Sequence, residues 1–225
     1  SPSFTLTAHN AEGQFGTLST TTTATIAWAS GVSGTGGRWV PRYQPYLELY
    51  LRTGSAINSK VFIGLSLAGN NSAISRLDGS SSPQAVNERP MEWGLYYDAS
   101  DSNRWKFGSY AEDNGSFYRN IYSTGVEVLA NTCYWIKMQL VKVAANTYQT
   151  VYTIQRATIA QTTPWARTNE MKEESSSPSF TYWDQEPTGT SFQDPMMQLT
   201  SLSGTQTWQF KSLYYELYTP WTQFR

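Results

Sequence analysis

Tyr46-Leu47-Glu48-Leu49-Tyr50-Leu51-Arg52 alternates strictly: Leu47, Leu49 and Leu51 share one face of an extended chain, and Glu48, Tyr50 and Arg52 share the other. Successive side chains of a strand point to opposite sides, so this stretch predicts a strand with one buried and one wet face. Residues 60–67 repeat the pattern, placing Val61, Ile63, Leu65 and Leu67 opposite Phe62, Gly64 and Ser66. The polar run Thr53-Gly54-Ser55-Ala56-Ile57-Asn58-Ser59 between them reads as a hairpin loop.

The same reading extends along the chain. Residues 93–97 and 104–110 form a predicted hairpin across 98–103, where Asp, Ser and Asn side chains bond nearby backbone and stop the strands. In 134–143, Tyr134, Ile136, Met138 and Leu140 alternate with Trp135, Lys137, Gln139 and Val141. Residues 150–156 are the expected antiparallel partner, across a loop at 144–148. The aromatic run 207–218 loses its phase near Ser212, which predicts a bulge or bend. Residues 166–174 lack an apolar stripe and read as a loop with one helical turn at most. Residues 30–37 and 69–89 also read as loops. Residues 20–25 have β propensity without a clear face, which leaves 1–40 open between edge strands and a docking arm. Many strands, polar turns and almost no helix predict an all-β fold, a two-sheet antiparallel sandwich or jelly roll, with residues 1–225 as one domain.

Composition narrows the function classes. Hydrophobic residues make up 39% and charged residues 15% of the 225, against averages of about 45–50% and about 25%. Fifteen Tyr, nine Trp and nine Phe make up the shortfall in aliphatics, and such side chains suit half-wet sheet faces. The net charge of -1 lacks the basic excess that phosphate backbones require, so no nucleic-acid partner is expected. No apolar run reaches about 18 residues, so no membrane-spanning helix is expected. Ser1-Pro2-Ser3-Phe4 carries neither the basic nor the apolar region of a signal peptide. An opening without methionine reads as a processed chain or a piece of a longer one. With a single cysteine, Cys133, no internal disulfide forms, and its strand-like setting suggests a small core residue.

The centre of the chain carries a distinctive order of short motifs. They are Val61-Phe62-Ile63-Gly64-Leu65, Trp93-Gly94-Leu95-Tyr96-Tyr97-Asp98, Asp101-Ser102-Asn103-Arg104-Trp105-Lys106-Phe107, and Thr124-Gly125-Val126-Glu127-Val128-Leu129-Ala130-Asn131-Thr132-Cys133-Tyr134-Trp135. This order, over residues 42–154, resembles the concanavalin A-like jelly-roll domains of bacteriophage virion appendages such as tail and head fibres. The resemblance implies a non-enzymatic module on the virion surface, a fibre or decoration protein used for assembly and for attachment to host glycans. It implies other virion proteins and further copies of the chain as partners, since such modules repeat with virion symmetry. The alternatives are a free-standing carbohydrate-binding lectin and a glycan-cleaving sandwich enzyme.

Candidate chemistry is sparse. His9 is the only histidine, so a Ser-His-Asp or Cys-His arrangement would have to use it, and a zinc site has too few ligands. Paired carboxylates are the remaining catalytic route, but Glu173-Glu174 are adjacent, and Glu48, Glu92 and Glu216 are isolated on their strands. Glu48 beside Tyr50 and Arg52 reads either as a structural ion pair or as a group facing a sugar-binding sheet. Asp98, Asp101 and Asn103 are the candidate Ca²⁺ ligands, three oxygen side chains in one hairpin, although their spacing is not that of an EF-hand. Pyranose rings stack on aromatic faces, which makes Tyr50, Tyr96, Trp105, Tyr110, Tyr118 and Trp183 the candidate carbohydrate platforms, with Tyr43 and Tyr46 beside them. The competing reading of each is core packing, because aromatics must also fill this interior.

Overall fold

A computed structural model describes residues 3–9, 13–27, 41–67, 73–80, 91–113, 116–157, 170–181 and 193–216. The strands are β1 Ser3–His9, β2 Gly13–Thr20, β3 Thr23–Ala27, β4 Tyr46–Arg52, β5 Ser59–Leu67, β6 Met91–Asp98 and β7 Ser102–Asp113. They continue as β8 Ser116–Glu127, β9 Cys133–Ala144, β10 Thr147–Ala157, β11 Glu170–Ser176, β12 Phe180–Thr181, β13 Gln193–Ser201 and β14 Gln206–Glu216. A single α-helix, α1, spans Ala73–Asp78 among the described residues.

The strands form two antiparallel sheets stacked as a sandwich. The eight-stranded sheet runs β1-β2-β14-β4-β9-β10-β11, with β12 also on β10, and the six-stranded sheet runs β3-β13-β5-β6-β7-β8. The leucine stripe of β4 and the Tyr134, Ile136, Met138 and Leu140 stripe of β9 turn inward, all nearly without solvent contact. They meet Val61, Ile63, Leu65, Trp93, Leu95 and Phe107 of the facing sheet. At the centre Trp105 lies edge-on to Trp208 at 5.7 Å and to Tyr134 at 5.5 Å. Edge-to-face rings add to the burial of their large apolar areas, which is how a chain poor in aliphatics fills its core.

Part of the far face of the six-stranded sheet is roofed by α1. Phe62, Tyr96, Tyr110 and Met196 pack there against Ala73, Ile74 and Leu77 of α1. Gly64, Gly94 and Gly108 stand side by side across three strands, and Gly108 leaves room for the helix. A Cβ on Gly108 would lie 2.9 Å from both methyl carbons of Leu77. Gln198 accepts the Ile74 backbone N–H at 2.9 Å and so anchors the first turn. Beneath the helix, Arg76 pairs with Glu92, Ser66 donates to Glu92 at 3.2 Å, and Tyr110 donates to Glu112 at 2.8 Å.

Several sequence expectations change here. Residues 53–59 are not a hairpin: β4 and β5 lie in different sheets, so the segment crosses between layers. Thr53 makes the crossing rigid, donating to the Leu129 carbonyl at 2.6 Å and accepting the Thr132 N–H at 3.0 Å. Residues 170–176 are not a loop but β11, paired along its length with β10. The 69–89 stretch contains α1. The hairpins β6–β7 and β9–β10 form as read, and the broken phase near Ser212 is a register shift between Phe210 and Ser212. Strands from the first 40 residues are built into the sheets: β1 is the edge of one, β2 lies between β1 and β14, and β3 is the edge of the other. Gly125 sits in an irregularity of β8, at φ +82°, a conformation a Cβ disfavours. Asn131, at φ +51°, lies in the turn before β9.

Candidate functional site

The open face of the eight-stranded sheet gathers the outward stripes of β4 and β9. Because both strands alternate, the inward aliphatics are flanked on the far side by Glu48, Tyr50 and Arg52 of β4 and by Trp135, Lys137, Gln139 and Val141 of β9. Antiparallel register sets Glu48 opposite Lys137, Tyr50 opposite Trp135, and Tyr46 opposite Gln139. On the other side, β14 places Tyr214 in register with Glu48 and Gln209 with Arg52.

Glu48 is the hub of this face. Tyr46 donates its phenol proton to Glu48 Oε2 at 2.9 Å, and Trp135 Nε1–H donates to Glu48 Oε1 at 2.6 Å. The Lys137 ammonium lies 4.0 Å from the same Oε1 and 4.6 Å from the centroid of the Trp135 ring. The carboxylate and ammonium remain accessible, with side-chain exposures of 27% and 42%. Arg52 donates to Gln209 Oε1 at 3.2 Å at the neighbouring level. Thr153 and Gln155 of β10 continue the rows beyond Lys137 and Trp135, and the Lys172–Glu174 ion pair closes them on β11. The result is an acid, a phenol, an ammonium and an indole on one rigid, solvent-facing surface. Such a set can bind a polar ring, counter an anionic group and move a proton.

The sequence candidates scatter. Tyr50 belongs to this face, half-buried against Cys133, which is itself buried. Trp105 is a correction: at 0% exposure it is the centre of the core and has no face for a sugar. Tyr96 and Tyr110 are corrections too, since α1 covers them. Tyr118 lies on β8 at 40% exposure, away from the Glu48 cluster. Trp183 lies outside the described residues. The proposed calcium ligands are also corrected. Asp98 is taken by Lys60 at 3.3 Å and by Ser100 at 2.6 Å, Asp101 pairs with Lys106, and Asn103 accepts the Tyr97 hydroxyl at 3.1 Å. Ammonium groups thus hold the charge a cation would need, and among the described residues no group of three acidic, His or Cys side chains is placed to hold a metal. Glu92 is not isolated: it shares a buried field with Glu112 and Arg76.

Lys137 and Trp135 were legible only as the outward stripe of β9. Their register against Glu48 and Tyr50 is what makes them a cluster, and alternation within one strand carries no register information.

The whole architecture has solved counterparts. The chain superposes on the marine PL-14 alginate lyase from Aplysia kurodai with a TM-score of 0.57 and 9% identity, over 96% of this chain and 87% of that one. It superposes on an endo-β-1,4-glucuronan lyase from the fungus Trichoderma reesei with a TM-score of 0.50 and 10% identity, over 97% of this chain and 87% of that one. Comparison with protein-family models and with curated proteins gives no match. The jelly-roll sandwich expected from the motif order is therefore the fold of this chain. The expectation of a non-enzymatic chain is corrected at the level of the fold: both named sandwiches of this architecture are lyases, so the fold gives no ground for excluding an enzyme. At such identities the likeness is one of fold.

Proposed function

We propose that the chain cleaves an anionic polysaccharide on the open face of the eight-stranded sheet, by β-elimination at a uronic acid. The observation that carries this reading is Glu48, held by Tyr46 and Trp135 with the Lys137 ammonium 4.0 Å away on an exposed surface. Alginate and glucuronan are both polyuronates, and the two named neighbours are lyases for them. In the eliminated residue, a base removes the proton beside the carboxyl group, those electrons form the C4–C5 double bond, and the C4–O bond breaks. The departing oxygen then takes a proton. Lys137 is suited to offset the substrate carboxylate, Glu48 to accept the proton, and Tyr46 to protonate the leaving oxygen. Trp135 offers its ring as a stacking wall beside the reacting sugar.

The lyase neighbours favour this glycan-cleaving alternative over a virion appendage, whose support is the motif order within residues 42–154. Self-association and docking to other virion proteins belong to that second reading. Incubation with alginate, glucuronan and a neutral glucan separates the two. Elimination creates a conjugated uronyl double bond that absorbs in the ultraviolet, and this product is expected from a polyuronate alone. Glu48→Gln is expected to lower turnover by about 10²–10⁴-fold with the fold intact. New reducing ends without the absorbing product would replace elimination by hydrolysis. Binding of the polymer without any turnover would move the assignment to the lectin alternative.

A further inference from the structure

We infer a second carbohydrate site on the flank of the sandwich, distinct from the Glu48 cluster, that takes a single pyranose ring. A cavity of about 290 Å³ opens where β7 and β8 part from β10 and from the 177–180 segment that leads into β12. Its walls include the rings of Phe107, Tyr122 and Phe180, and its polar groups include Ser109, Asn120 and Ser177.

The decisive feature is a polar track across an otherwise apolar surface. Trp93, Ser109 and Asn120 stand in register on β6, β7 and β8, on the face turned toward the other sheet. Ser109 interrupts a stripe whose other members are Trp105, Phe107 and Ala111, all buried and apolar. Asn120 Nδ2 donates to Ser109 Oγ at 3.3 Å, and Trp93 Nε1 donates to Thr150 Oγ1 at 3.0 Å on the opposite sheet. Ser177 Oγ accepts the Thr150 N–H at 2.9 Å. Ser109, Thr150 and Ser177 are 2%, 1% and 5% exposed. Three hydroxyls, those of Ser109, Thr150 and Ser177, are thus carried into an apolar interior, where each needs a partner, and the half-buried Asn120 amide extends the row toward solvent. Four members of the track, Ser109, Asn120, Thr150 and Ser177, line the cavity beside Phe107, Tyr122 and Phe180. Aromatic walls around a few hydroxyl and amide groups are the chemistry that recognises a sugar ring. The volume sits at the lower end of small-ligand pockets, about 300 Å³, which suits one ring and not a polymer strand.

The test is titration of the full chain with D-glucose, D-mannose and D-glucuronate at millimolar concentration, followed by NMR of the aromatic and amide signals. At least one sugar is expected to shift Tyr122, Phe180 and the Asn120 side-chain amide saturably. Asn120→Leu is expected to weaken that sugar by about tenfold, the loss of one to two hydrogen bonds. Ser179→Trp, at an exposed position on the cavity rim, is expected to block it. Ser179→Trp should keep the melting temperature of the parent, Asn120→Leu should stay folded with a somewhat lower one because buried Ser109 loses its partner, and Glu48→Gln should bind the sugar as the parent does. No saturable shift with any of the sugars, or shifts that survive both variants, overturns the flank site. Neither result touches the elimination reading, which is scored by product formation on polymers.

Discussion

Glu92 sits at 0% exposure under α1, between the Arg76 guanidinium, the Ser66 hydroxyl and the neighbouring Glu112. Burial pushes its carboxyl from an ordinary 4.5 up to about 7, against the pull of Arg76 and Ser66 and with some help from Glu112. Between those values the folded chain holds a proton that the unfolded chain releases. Stability therefore falls as pH rises from about 4.5 to about 7 and levels off above that. Asp78 and Asp98 are shifted the other way. Burial opposes that shift, but bonds from Lys60 and Ser80 to Asp78, and from Ser100 and Lys60 to Asp98, outweigh it. Their contribution is lost only as pH falls below their ordinary 3.8, so it leaves the Glu92 window clear. Thermal melts across this range should show a midpoint that declines toward neutral pH, and Glu92→Gln should flatten the decline. A flat parent profile, or an unchanged slope in the variant, would refute the assignment to Glu92. This buried network was not legible in the sequence, where Glu92 follows Met91 in a strand with no outward sign of burial. All eight residues of β6 are buried, because the helix roof removes the wet face that alternation assumes.

At the scale of elements, the roof depends on one close approach. Leu77 rests on Gly108, and a methyl group there would press both Leu77 methyl carbons to 2.9 Å. Gly108→Ala should destabilise the fold by about 1–3 kcal/mol through overpacking. Leu77→Ala should cost about 2–5 kcal/mol by emptying the same space. In the double variant the Gly108 penalty should shrink, because the new methyl enters the vacated space. Additive losses in denaturant titrations would mean that the two residues do not meet. The helix escaped the sequence reading for a physical reason. Six residues are under two turns, so Ile74 and Leu77 supply only one i, i+3 contact and no period. Strand β11 escaped for the opposite reason: Glu170-Met171-Lys172-Glu173-Glu174-Ser175-Ser176 lies on an edge with most side chains in water, and no stripe is selected. The β4, β9 and β10 stripes were legible because one face of each is packed.

At the scale of the molecule, the two ends of the chain complete one sheet. β2 pairs with β14, setting Leu18 beside Trp208, both buried in the core. Removing residues 1–20 would uncover that edge of β14 and part of the aromatic centre. The shortened chain should self-associate, visible as light scattering and early elution on gel filtration, since a bare strand edge is a template for further pairing. A monomeric and fully folded truncation would show the N-terminal strands to be dispensable. The contrast between sequence and structure is clearest at this scale. Alternation determined strand type, inward residues, the β6–β7 and β9–β10 hairpins and the bulge near Ser212, because each depends on neighbours close in the chain. Tertiary structure alone decided that residues 53–59 cross between sheets, that Trp105 is core rather than platform, and that Glu48 faces Lys137. Each of those facts depends on register or layer assignment between distant segments, and the energy that selects them comes from closing the whole aromatic interior rather than from any local run of residues.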